Sequence, residues 1–70
     1  MQKIKSEVTG TVWKVEVQVG QEVATDDVLV IVESMKMEIP IVAERAGKVS
    51  EILVGEGDPV ADDQVVVHLV

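Results

Sequence analysis

Cysteine is absent from this chain, and so are phenylalanine and tyrosine. Without thiols there is no disulfide to staple so short a fold and no thiolate to hold a metal. Trp13 is the single aromatic residue, so the interior has to be built from valine, isoleucine and leucine, a composition that favours strands over helices. Positive charge is scarce too: six Lys and Arg stand against thirteen Asp and Glu, for a net charge of −7. The basic residues, Lys3, Lys5, Lys14, Lys36, Arg45 and Lys48, are scattered. Nucleic-acid phosphates call for clustered cations, so a nucleic-acid partner is not expected. No apolar run approaches the roughly 20 residues of a membrane-spanning helix, and residues 1–10 hold no apolar signal core. The expectation is a cytoplasmic protein with no membrane partner. At 70 residues the chain is read as one domain, 1–70, burying only about 60% of its unfolded surface and too small for an enzyme cleft with its own lid.

The absences extend to catalytic sets. His68 is the sole histidine and has no Cys or His partner at ligand spacing, which leaves it a strand residue on an outer face. Asp26-Asp27 and Asp62-Asp63 lack the ligand spacing of a calcium loop and suit turns instead. No metal site, no Ser-His-Asp set, no carboxylate pair and no glycine-rich phosphate loop is expected.

What is present is an organising stretch from Val28 to Val42. Two β-branched runs, Val28 to Val32 and Ile39 to Val42, flank Glu33-Ser34-Met35-Lys36-Met37-Glu38. The runs read as strands and the whole as a hairpin over 33–38 with its tip at Ser34 to Met37. Short hairpin loops need positive φ angles that Gly, Asn or Asp supply cheaply, yet none of these stands at the tip. Large residues held there would cost roughly 1 kcal/mol or more each. A broken turn rule points to function: two flexible thioethers placed around one primary amine. The plainer alternative is a solvated lysine with both methionines folded back onto the core.

The chain also repeats. A shift of 37 positions sets Gly10 on Gly47, Val12 on Val49, Val17 on Val54, Gly20 on Gly57, Val23 on Val60, Asp26 on Asp63 and Val30 on Val67 without a gap. Two equivalent halves, about 10–33 and 47–70, follow, packed as a β-sandwich with a pseudo-twofold axis. Within the first half, Val15, Val17 and Val19 alternate with Lys14, Glu16 and Gln18, which predicts a half-buried strand ended by Gly20. Ile4 to Val8 suits a short edge strand. Pro40 belongs at an edge or bulge, because it cannot donate to a ladder.

The run Glu33-Ser34-Met35-Lys36-Met37-Glu38, midway between the halves, together with Gly57-Asp58-Pro59-Val60, resembles the biotinyl/lipoyl attachment domains over nearly the whole chain, from Gly10 to Val70. Ser34 stands where such domains commonly have alanine, and Glu7-Val8-Thr9-Gly10 replaces their usual proline-rich opening. The resemblance implies an all-β, flattened sandwich or barrel of two four-stranded sheets, the barrel-sandwich hybrid, with the lysine turn opposite the paired termini. It implies a carrier and not an enzyme: biotin joined covalently to Lys36 by a biotin protein ligase, then a carboxyl group shuttled between biotin carboxylase and carboxyltransferase components. In that reading Met35, Met37, Glu33, Ser34 and Glu38 serve ligase or cofactor recognition, with Ser34 capping the turn locally. Lysine amines are largely protonated in neutral water, so acylation needs that outside catalyst. Lipoate, added by a lipoate ligase at the same Lys36, is the second cofactor consistent with the resemblance. An unmodified lipoyl-like interaction module is the third reading.

Overall fold

Each β-branched run lies in a strand of the computed structural model, which describes residues 2–70. In chain order these are β1 (Gln2–Lys5), β2 (Gly10–Val15), β3 (Glu22–Val23), β4 (Val28–Ser34), β5 (Met37–Val42), β6 (Gly47–Ile52), β7 (Pro59–Val60) and β8 (Val65–Leu69). They form the two four-stranded sheets that the resemblance implied, ordered β1-β8-β6-β3 and β5-β4-β2-β7. All pairings are antiparallel. The sheets enclose an aliphatic core in a body of 30 × 18 × 18 Å, in which Leu29, Val30, Val32, Val66, Val67 and Leu69 are wholly shielded from solvent.

The 37-residue repeat is carried out bond for bond. The Gly20 N–H donates to Val49 O and the Gly57 N–H to Val12 O. The Ala24 N–H donates to Asp27 Oδ2 at 2.8 Å, and its counterpart, the Ala61 N–H, to Gln64 Oε1 at 3.0 Å. Asp26 and Asp63 share φ values of 71° and 68°, where their short polar side chains tolerate the left-handed region. The equivalence also reaches further back than Gly10: β1 and β5 occupy matching edges of the two sheets. Ser6, the one buried polar residue among the described residues, lies at the position equivalent to Ala43, also buried. Its hydroxyl donates to Val8 O at 2.6 Å, which satisfies it without water.

Two pairs of bulges explain where the polar and apolar alternation fails. Between Val28 and Val30 the register of β4 slips, and Leu29 becomes an extra residue turned inward; Val66 does the same in β8. Consecutive residues are thereby buried, Leu29 with Val30 and Val66 with Val67. In β2 and β6 the extra residues, Trp13 and Ser50, are exposed instead. The strand expected to run on to Val19 stops at Val15, and Val19 is 64% exposed. The cause is a change of partner. After Glu16 bonds to Leu29 O, the Gln18 N–H is taken by the Gln21 side chain and the Gly20 N–H reaches Val49 on the other sheet. Val19 therefore sits on the crossing and not in a ladder. Pro40 lies in the edge strand β5, where its missing N–H costs no ladder bond.

The halves exchange their shortest strands. β3 pairs with β6, and β7 pairs with β2, so each sheet contains both halves of the sequence.

Two outcomes test this packing. A 70-residue domain commonly has a stability of roughly 4–10 kcal/mol, and Leu29→Ala should remove about 2–5 kcal/mol of it; a urea titration that shows a loss under 1 kcal/mol would contradict the bulge-driven burial. Gly10→Ala and Gly20→Ala should differ in cause and size. A Cβ at Gly10 would collide with the Glu33 carbonyl oxygen, whereas Gly20 has open space but a φ of +93°. The first should cost about 2–3 kcal/mol through overpacking and the second about 1 kcal/mol through backbone strain, read from the same titration.

Candidate functional site at the hairpin tip

Strands β4 and β5 pair from Val28↔Val42 through Glu33↔Glu38 to Ser34↔Met37. That register leaves Met35 and Lys36 as a two-residue loop, with φ of 51° and 65°. Positive φ at both central residues is the requirement of a type I′ turn, whose right-handed twist matches the strands it joins and which Asn-Gly normally fills. Here a methionine and a lysine bear the strain that the sequence led one to expect.

Neither methionine folds back onto the core. Met35 is 92% exposed and Met37 is 65% exposed, and Lys36 between them is exposed as well. Among the described residues, Lys36 takes part in no ion pair. Two surface depressions lie elsewhere, around Gly47 and Val70 and around Lys5 and Glu44. The amine thus stands on a protrusion and not in a cleft. This geometry suits a group that other proteins act upon.

Below the loop the support is fixed by contacts distant in sequence. The Ser34 hydroxyl donates to Thr9 O at 2.9 Å. It therefore ties the hairpin to the β1–β2 connection and does not cap the turn locally, as the sequence had suggested, because the hydroxyl's one proton is given to a carbonyl on the neighbouring chain segment. Thr9 Oγ1 in turn accepts from the Asp62 N–H at 3.1 Å, which joins the β7–β8 loop to the same cluster. Gly10 lies against the Glu33 backbone so closely that any side chain would collide. Two of these three braces, Thr9 and Gly10, gave no functional signal in sequence; the third, Ser34, was read with the wrong partner.

Glu33 and Glu38 are directly opposed across the strands and both exposed. Like charges in that relation destabilise a sheet, so the hairpin carries a second locally unfavourable feature one rung below the first. Counting outward from a two-residue loop would have revealed the pair. The structure brings Glu33, Ser34, Met35, Lys36, Met37 and Glu38 together on one hairpin end. His68 lies on the other sheet, where Nδ1 is 3.3 Å from Glu51 Oε1.

The symmetry also locates the tip. Rotating β8 and β1 onto β4 and β5 carries the paired residues Leu69 and Gln2 toward the place of the turn. The turn and the paired chain ends therefore lie on opposite sides of the axis.

Comparison with known proteins agrees with this architecture. The family described as "Biotin-requiring enzyme" matches residues 2–69. The chain is 42% identical over 66 residues to the biotin/lipoyl attachment protein of Bacillus subtilis, covering 94% of this chain and 90% of that one. It is 46% identical over 55 residues to the biotinylated protein TB7.3 homolog of Mycobacterium leprae, covering 79% and 78%. Among solved structures, the urea carboxylase of Kluyveromyces lactis superposes with a TM-score of 0.95 at 38% identity over 99% of this chain, which corresponds to 6% of that much longer one. On the profile match, the full-length relatives and the fold together, the chain belongs to the biotin/lipoyl attachment family.

Proposed function

We propose that Lys36 is the attachment point for an amide-linked biotin and that the chain acts as the carboxyl carrier of a biotin-dependent carboxylase in the cytoplasm. The observation that carries this reading is one exposed lysine between two exposed methionines, at a loop whose backbone angles neither residue favours. A biotin protein ligase would supply the activated acid as an acyl-adenylate. Lys36 Nζ, once deprotonated in that enzyme's site, attacks the acyl carbon; the C–N bond forms and the adenylate leaves.

The neighbouring residues have separate parts in this. Met35 and Met37 offer unbranched, polarizable side chains that can fit an apolar pocket of the ligase. Glu33 and Glu38 face outward together and can meet basic groups on a partner. Ser34 holds the base of the hairpin through Thr9, so that the amine is offered from a fixed origin. When attached, biotin supplies a ureido nitrogen able to carry a carboxyl group between a biotin carboxylase and a carboxyltransferase. The rigid body beneath Lys36 keeps that group at high effective concentration near both sites.

Lipoate at the same lysine is a second reading, supported by the name of the Bacillus subtilis relative, a biotin/lipoyl attachment protein. A lipoate ligase would then be the modifying partner.

Incubation with a biotin protein ligase, biotin and Mg-ATP, followed by intact-mass measurement, should show one added biotin on the wild-type chain and none on Lys36→Arg; biotin on the Arg variant would overturn the assignment. Met35→Asn should separate strain from recognition. Asparagine tolerates the left-handed region, so stability should rise by about 0.5–1 kcal/mol, while ligase kcat/KM should fall roughly tenfold through loss of the thioether contact. Unchanged labelling of that variant would show that Met35 only fills the turn.

A further inference from the structure

The internal repeat provides a control for the outer faces of the two sheets, because each position has a counterpart with the same backbone. On the sheet that bears the hairpin, the rung Lys14, Ile31 and Pro40 runs across β2, β4 and β5. Trp13, the extra residue of the β2 bulge, stands beside it and is 49% exposed. The equivalent rung on the other sheet is Glu51, His68 and Lys3, and the residue equivalent to Trp13 is Ser50. Lys14 and Glu51 are both charged, but Ile31, Pro40 and the neighbouring Trp13 are apolar where their counterparts His68, Lys3 and Ser50 are polar. The fold imposes no such difference, since Ser50 is accommodated at the same bulge.

Position supplies the occupant. The Ile31-Pro40 pair lies only three residues along β4 from Ser34, roughly 10 Å below the turn at strand spacing, with the Glu33 and Glu38 pair between. A specific protein partner covers about 800 Å² on each side, whereas this whole chain exposes 4344 Å². An enzyme that takes the Lys36 tip into its active site therefore cannot be satisfied by the tip alone and has to extend down a flank. The outer face of β5-β4-β2 is continuous with the hairpin and offers a tryptophan, the side chain most enriched among residues that dominate binding. The two glutamates on the way down set the complementary charge as basic.

We infer that this face, centred on Trp13 and the Ile31-Pro40 rung, is the surface gripped by the ligase that acylates Lys36, and that the gripping surface is apolar with basic residues toward the tip. The inference rests on Lys36 being the biotin attachment point. Affinity is then carried by the face and chemistry by the tip.

The test uses the intact chain and a biotin protein ligase. Trp13→Ser installs the residue that the second half carries at the same bulge, so the fold should persist, as checked by urea titration. Its labelling KM should rise roughly ten- to hundredfold with kcat little changed, as loss of a buried tryptophan contact predicts, while Ser50→Trp should be labelled like wild type. Reaction of Lys36 with a soluble succinimidyl ester, which needs no docking, should be equal in Trp13→Ser and wild type. A second readout requires no destabilising change. Because the chain has one tryptophan, 5-fluorotryptophan gives a single ¹⁹F signal, and in Lys36→Arg that signal should shift or broaden when unlabelled ligase is added.

Equal KM for Trp13→Ser and wild type, or a ¹⁹F signal unmoved by saturating ligase, would overturn the inference. So would a shift that follows the chain's own concentration without ligase, which would assign the face to a second copy. A wild-type chain that takes no biotin would fail the attachment reading itself. Normal wild-type labelling with no loss in Trp13→Ser would fail only the face.

Discussion

The exchange of short strands between the two halves is the constraint on which the rest of the structure depends. β3 leaves the first half to pair with β6, and β7 leaves the second to pair with β2. The turns that precede them donate across in the same sense, Gly20 to Val49 and Gly57 to Val12. Each half therefore satisfies its backbone groups only in the presence of the other, and buried backbone donors cannot be left unpaired cheaply. The aliphatic interior follows from this. Leu29 and Val66, pushed inward by their bulges, close the core from opposite sheets without any aromatic residue or cross-link.

That interlock allows the tip to be strained. Left-handed backbone at Met35 and Lys36 costs roughly 2 kcal/mol together, and the opposed Glu33 and Glu38 add up to about 1 kcal/mol. Such a loop would re-form or fray on an isolated hairpin. Here the β4–β5 ladder, the Ser34–Thr9 bond and the close approach of Gly10 over-determine its base, and strained backbone persists only where its surroundings do so. Rigidity at the base and exposure at the tip have one origin. A loop optimised for stability would carry Asn-Gly and would leave no amine to offer.

Much of this was legible from residue order because valine alternation and the 37-residue shift are both local, countable signals. Most strand positions, the edge placement of Pro40 and the unusual turn followed from them; the edge strand expected over Ile4 to Val8 is instead Gln2–Lys5, because the Ser6 N–H leaves the ladder for Gln64 O and its hydroxyl turns to Val8 O. The bulges did not. Trp13 and Leu29 both look like ordinary members of their strands, and which of two adjacent residues becomes the extra one is decided by pairing across the sheet. Val19 misled for a related reason: its alternation with Gln18 continues after the ladder has ended, since the change of sheet is made by main-chain bonds that no side chain announces. The role of Ser34 was misplaced because its partner is Thr9, a residue 25 positions away in sequence that is brought alongside only when β2 pairs with β4.

The two halves share a backbone but not a chemistry, and the place where they differ is informative. At one end of the pseudo-twofold the strands are joined through Met35 and Lys36; at the other, Gln2 and Leu69 are paired without a covalent link. A duplicated scaffold thus presents one turn and not two. Polypeptide joined at either terminus would leave from the side away from Lys36, so the amine stays clear however the domain is connected. The outer faces differ in the same direction: Trp13 and Ile31 on the hairpin's sheet stand where the other carries Ser50 and His68. Symmetry alone would have made the faces alike. Their divergence falls on the sheet that carries the single turn, while the opposite sheet places the Glu51–His68 contact at the equivalent rung.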